Sequence, residues 1–252
     1  MQVLKFVLWT WPSAGADNAG FQNDRIKFHQ ILAHTKVHGF LGSGIFKVDT
    51  APFAGSFLFE NSPWLGGHKT VLEEWYVFHG SAALDAVNEA VIAGPYKAGH
   101  AKFLRQDLGG ECAGLYYMRN GTVDQAVAGI TETDSTVWIH KTYATYDELA
   151  QRLEPSMRSS GSVLWRRLLV LGATHEMHLD VKSSVDLPED LKPGACWVKR
   201  TRIWPISEDV RHKQLDSVSC RTQAVTSLEH IKNYATVPYV EPGRKRCLSA
   251  CT

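Results

Sequence analysis

The stretch Val71-Leu72-Glu73-Glu74-Trp75-Tyr76-Val77-Phe78-His79, followed at once by Gly80-Ser81-Ala82-Ala83-Leu84-Asp85-Ala86-Val87-Asn88-Glu89-Ala90-Val91-Ile92, sets a strand directly against a helix. Aromatic and β-branched residues dominate the first segment, as a strand requires. In the second, Ser81 is the expected N-cap and Ala83, Leu84, Val87, Ala90, Val91 and Ile92 recur at helical spacing. Gly94-Pro95 ends that helix.

Upstream, Val37 to Asp49 contains Gly39, Gly42 and Gly44 and reads as a bent or bulged strand. A long connection over 51–70 follows it, with a short strand expected at Ser56–Phe59. Before it, Phe21, Ile26, Phe28, Ile31 and Leu32 mark a helix capped by Asp17 or Asn18. Leu4 to Trp11 is an apolar strand with both faces buried. Downstream, a helical stretch from Tyr96 to Leu108 is stopped by Gly109-Gly110. Cys112 to Arg119 is then a strand before the Asn120-Gly121 turn. The order strand, helix, strand, strand, helix, strand is that of a ferredoxin-like split βαβ unit over 1–121.

After a polar connector at Val123–Asp134, the pattern restarts over 122–206, incompletely. Thr136–Thr142 is a strand and Tyr146–Met157 a helix capped by Thr145 or Asp147. Val163–Leu171 is either strand or helix. His175–Ser183 alternates polar with apolar as a half-buried strand does. Cys196–Pro205 is the final strand. Residues 207–252 form a polar, weakly ordered tail with one helix near Gln223–Tyr234. The fold class is therefore α+β: two tandem ferredoxin-like units, their antiparallel sheets packed as a dimeric α+β barrel-like core with helices outside.

The chain has 252 residues, 44% hydrophobic and 21% charged, with a formal net charge of +1. That balance speaks against a nucleic-acid footprint and against binding to an anionic membrane. No stretch approaches the ~20 apolar residues of a membrane span. Lys5 interrupts the N-terminal apolar run, which lacks a basic leader, so a buried first strand is expected rather than a signal peptide. The five cysteines are irregularly spaced and form no CxxC pair, which fits free thiols in a reducing, cytoplasmic setting.

Three segments are similar to an uncharacterised prokaryotic family of the dimeric α+β barrel type. They are Glu74-Trp75-Tyr76-Val77 with Ala83–Ala90, Gly114-Leu115-Tyr116, and Leu164-Trp165-Arg166-Arg167 with Leu171-Gly172. The likeness spans about residues 1–205. It implies a fold and no catalytic residue, because such barrels include haem enzymes, cofactor-free monooxygenases, isomerases and ligand-binding regulators. It also implies a ligand position, either in the lumen or between a sheet face and a covering helix.

The candidate ligand-binding residues are Trp9, Trp75, His79, Asn88, Trp138, His140, Trp165, Arg166 and Glu176. Each indole N–H needs a partner, and a pocket supplies one. At least two of the four Trp, with His79 or His140, are thus expected to line one cavity. Asn88 sits beside the apolar stripe of its helix and needs a hydrogen bond there. Arg166 or Arg167 must point inward if their segment is a strand, with Glu176 as the acidic partner. His175, Glu176 and His178 are the most metal-like cluster, but alternation puts the two histidines on opposite faces, so no metal is expected. No other cofactor is called for, and haem, with His100 as its axial ligand, stays open. The glycines form no phosphate loop, and no GxSxG elbow is present.

The function expected is small organic molecule binding in an aromatic-lined barrel pocket, with metal-independent conversion of the ligand open. The alternative is a non-enzymatic scaffold working through a sheet face or dimer interface, and a homodimer is admitted. An RNA-binding sheet is disfavoured, because Ala113–Arg119 lacks the aromatic-glycine pattern.

Overall fold

Val3–Pro12 is apolar on both faces because both faces are covered: one looks into a barrel, the other at helices. The computed structural model describes residues 2–34, 37–48, 71–94, 96–105, 107–139, 145–171, 177–181 and 185–205. The strand expected at Ser56–Phe59, His140, Glu176 and the segment 207–252 lie outside the described residues.

The strands are β1 (Val3–Pro12), β2 (Phe40–Val48), β3 (Val71–His79), β4 (Leu108–Asn120), β5 (Ser135–Ile139), β6 (Val163–Leu171), β7 (Met177–Val181) and β8 (Ala195–Trp204). They close into one barrel in the order β1-β3-β2-β8-β5-β7-β6-β4, and every neighbouring pair is antiparallel. The first four strands lie as β4-β1-β3-β2 and the last four as β8-β5-β7-β6. The two sets were expected as facing sheets. They are instead joined edge to edge, at β2–β8 and β4–β6. Closure leaves no free edge among the described strands, which removes a route to aggregation.

The helices are α1 (Asn18–Ala33), α2 (Gly80–Ile92), α3 (Lys97–Arg105), α4 (Val123–Glu132) and α5 (Tyr146–Ser160). Asp17 caps α1, its carboxylate accepting the N–H groups of Ala19 and Gly20 at 3.0 Å each. Thr122 with Gln125, and Thr145 with Glu148, build capping boxes for α4 and α5. α1 and α2 cover the outer face of β1 and β3 through Leu4, Phe28, Leu32, Phe78, Ala83, Val87 and Val91, and α3 packs against α1 and α2. α5 covers the other side, its Leu149, Leu153 and Met157 on Val137, Leu164 and Leu179.

Three expectations change. The segment 123–134 is no connector: its capping box and its buried Ala126, Gly129 and Ile130 make it α4. Ala126 and Ile130 join the apolar cluster of the barrel interior. Gly109-Gly110 does not stop a helix but belongs to β4, where a Cβ on Gly109 would stand 2.4 Å from the Pro12 carbonyl oxygen. Finally, α2 begins at Gly80, so His79 and not Ser81 holds the cap position, without a side-chain capping bond. The ambiguous segment 163–171 is a strand.

Candidate functional site

Glu73 and Glu74 are adjacent on β3, fully buried, and by strand alternation face opposite sides of the barrel wall. Each is the centre of a polar cluster. A buried carboxylate is tolerated only with several donors, so these clusters define what each side can do.

Glu73 faces the lumen. Trp9 Nε1 donates to it at 2.9 Å, Trp75 Nε1 at 2.8 Å and Arg200 Nη1 at 3.1 Å. Across the barrel, Asp180 of β7 accepts from Lys5 Nζ of β1 at 2.9 Å on both oxygens, and from Trp165 Nε1 at 2.6 Å. The Lys5 ammonium also lies 3.7 Å from the Trp75 ring centre and 4.3 Å from that of Trp165, so two indole faces sandwich it. Burial pushes the Lys5 amine down to about 8, against the opposing pull of Asp180. Burial likewise lowers Arg200.

The lumen therefore gathers all four candidate indoles, Trp9, Trp75, Trp138 and Trp165, each with no exposed surface. Trp9 packs on Trp138 at 5.6 Å, and His178 sits 4.3 Å from Trp138 and 4.6 Å from Tyr116. Three of the four indole N–H groups go to carboxylates rather than to backbone or ligand. These side chains pack against one another between the strands.

Glu74 faces outward, beneath α1. It accepts from Thr10 Oγ1 at 2.9 Å and from the Tyr76 hydroxyl at 2.9 Å; His29 Nε2 lies at 3.2 Å and Arg25 Nη1 at 3.8 Å. His29 Nδ1 meets Ser43 Oγ at 2.8 Å. Burial alone would raise the Glu74 carboxyl, but the Arg25 charge and the bonds from His29 and Thr10 outweigh it and hold it below the usual range. Burial, then the neighbouring Glu74 charge, drives the Tyr76 hydroxyl well above its ordinary value, so it stays protonated. Ser43, His29, Glu74 and Tyr76 form a chain of hydrogen bonds.

That chain of bonds ends at open space. A groove of about 250 Å³ lies between the outer face of β1 and β3 and the helices α1, α2 and α3. Its walls are Phe6, Leu8, Phe28, Leu32, Tyr76, Phe78, Leu84, Val87 and Val91, and Asn88, His100 and Glu111 add polar atoms. Phe6 stacks obliquely on Tyr76 at 6.0 Å, and His100 meets the Phe28 edge at 5.6 Å.

The other candidates fall elsewhere. Asn88 is exposed on α2 and lines the groove. His79 is half-buried at the β3–α2 junction, its backbone N–H bonded to the Gly39 carbonyl at 2.7 Å. Arg166 faces outward: it donates to the Tyr117 hydroxyl at 2.6 Å and lies 3.7 Å over the Tyr146 ring. Its guanidinium is thus held by two aromatic residues, and the partner expected for it, Glu176, lies outside the described residues. Among the described residues, no group of three or more His, Cys, Asp or Glu side chains is placed to hold a metal ion. Burial raises the thiols of Cys112 to about 12 and Cys196 to about 11, which leaves neither a nucleophile at neutral pH.

Lys5, Glu73, Asp180, Arg200 and the Arg25–His29–Glu74 group were not among the sequence candidates. One signal pointed to the first: a lysine in the middle of an apolar strand buried on both faces must have a partner.

No family model and no curated protein matches the chain. Among solved structures, it is similar to an anthrone oxidase-like protein (10% identity, TM-score 0.44, covering 73% of this chain and 75% of that one). It is also similar to a monooxygenase-like protein from Lactobacillus acidophilus NCFM (9%, 0.42, 73% and 78%) and to a chlorite dismutase-like protein (9%, 0.45, 80% and 95%). At overlaps this loose, chemistry has to be read from this chain's own residues. Among the described residues, no helix is long and apolar enough to cross a membrane.

Proposed function

We propose that this protein binds a small organic molecule in the groove between the outer barrel face and α1–α3. The carrying observation is that an apolar, largely aromatic groove opens beside a buried acid–base group, Tyr76–Glu74–His29. Concave, mostly apolar space with a few placed polar atoms is what ligand sites have in common. The lumen serves as the frame: its charges are paired and its indoles are packed against one another, so Trp9, Trp75, Trp138 and Trp165 hold the wall rather than the ligand. The strand orders β4-β1-β3-β2 and β8-β5-β7-β6 support reading the barrel as two ferredoxin-like units fused in one chain, with the groove belonging to the first. Of the candidates named from sequence, Asn88 belongs to this groove.

Titration calorimetry with 2-naphthol, a neutral bicyclic probe, tests the site. The wild-type protein should bind it. Leu84→Trp places an indole in the groove wall and should weaken binding about tenfold or more. Equal affinity in both proteins would move the site away from the groove.

The scaffold alternative draws support from Leu168 and Leu169 on β6, 51% and 57% exposed. Paired apolar exposure of that kind suits a subunit contact.

A further inference from the structure

We infer that the groove selects an uncharged ring-bearing ligand that donates a hydrogen bond, and that it rejects carboxylates and phosphates. The inference rests on the groove being the ligand site.

Size comes first. A volume of about 250 Å³ is roughly eight times the ~30 Å³ share of a liquid water, which is room for one bicyclic ring system. Phe6, Phe28, Tyr76 and Phe78 give the walls their aromatic character, and rings stack on rings in offset or edge-on contacts.

Polarity follows from where the Tyr76 proton goes. A tyrosine hydroxyl has one proton to give and lone pairs to accept with. Tyr76 gives its proton to Glu74 Oε2 at 2.9 Å. Glu74 is held ionised by Arg25, His29 and Thr10, so it stays an acceptor and the Tyr76 proton stays committed to it. What Tyr76 offers the groove is its acceptor side, so a ligand polar atom beside it must be a donor.

Charge points the same way. The Glu111 carboxylate stands near enough to act on the Tyr76 hydroxyl, as Glu74 does. Among the described lining residues there is no Lys or Arg. An anionic ligand would meet the Glu111 carboxylate and no Lys or Arg on that wall, a like-charge arrangement that disfavours it.

Three probes sharing one ring system separate these points: 2-naphthol (donor), 2-methoxynaphthalene (acceptor only) and 2-naphthoate (anion), each titrated into the wild-type protein. The naphthol should bind about fivefold to tenfold more tightly than the ether and about a hundredfold more tightly than the carboxylate. Tyr76→Phe should erase the difference between naphthol and ether while keeping both as ligands. If the ether or the carboxylate matches the naphthol in the wild-type protein, the ligand class is wrong and the groove stands. If none of the three binds, or if Leu84→Trp binds all three as the wild type does, the groove itself is not the site.

Discussion

Lys5→Met is expected to lower the free energy of unfolding by about 3–5 kcal/mol, the cost of leaving a buried charge without its partner. Lys5 and Asp180 are both inaccessible, and the ammonium meets both carboxylate oxygens at 2.9 Å. Removing the amine takes from Asp180 both hydrogen bonds it receives there, which a neutral lysine could still donate, and leaves the carboxylate with the Trp165 N–H and His178. The double variant Lys5→Met, Asp180→Asn should recover most of the loss. Methionine fills the slot between the two indoles, and asparagine keeps an acceptor for the Trp165 N–H. Urea unfolding of the wild type, the single and the double variant gives the three values. A single variant as stable as the wild type would show that the pair is not buried in solution.

The same lysine sets an alkaline signature. Its folded value of about 8 lies below its ordinary 10.5, so between those values the unfolded chain holds a proton that the folded chain has released. Stability rises with pH wherever the unfolded state binds more protons. The contribution is fully present above 10.5 and is lost as pH falls through 8. From pH 7 to 9.5 the gain should be about 2 kcal/mol, and Lys5→Met should lack it. Above pH 10 the buried hydroxyls of Tyr76 and Tyr116, both raised well above the ordinary tyrosine value, reverse the slope as the unfolded tyrosines ionise.

Glu74→Leu should be of comparable size, about 3–5 kcal/mol, because one carboxylate serves four groups. Without it Thr10, Tyr76 and His29 lose their shared acceptor, and the Arg25 charge is left beneath α1 with no surface of its own. Glu74→Gln keeps the volume and one acceptor oxygen and should cost less. The wild-type carboxylate lies below its usual range, so its contribution is present above the unfolded value near 4.3 and is lost as pH falls through the folded one. Thermal midpoints across pH 3–6 should therefore fall more steeply in the wild type than in Glu74→Gln. Identical profiles would mean that folding leaves the affinity of this carboxyl for its proton unchanged.

Local signals in the chain carried the strands, the helix stripes and the caps of α1 and α5. β1 read as a strand buried on both faces because apolar residues occupy both registers of the alternation, and it is so buried; β3 read as a strand and is one. The face that becomes the lumen was not legible, since alternation within a strand gives relative faces only. Nor were the partners legible: Lys5 and Asp180 are 175 positions apart, Glu73 and Arg200 127, and only closure of the barrel brings them together. α4 escaped because Ala126, Gly129 and Ile130 make a narrow apolar stripe of small residues, and its capping box is the clearer signal. The indoles were legible as an unusual group that needs N–H partners; that carboxylates would supply them could be seen only across the barrel. The groove combines strand residues with Asn88 and His100 from two helices, so it exists only once α2 and α3 lie on β1 and β3.

A crystal structure of the protein with 2-naphthol bound tests the central claim most directly. The ring system should lie between Phe6, Phe28, Tyr76 and Val87, with its hydroxyl toward Tyr76, while the lumen indoles keep their bonds to Glu73 and Asp180. Density for the probe inside the barrel, with Trp9 or Trp138 displaced to admit it, would contradict the account and make the lumen the binding site.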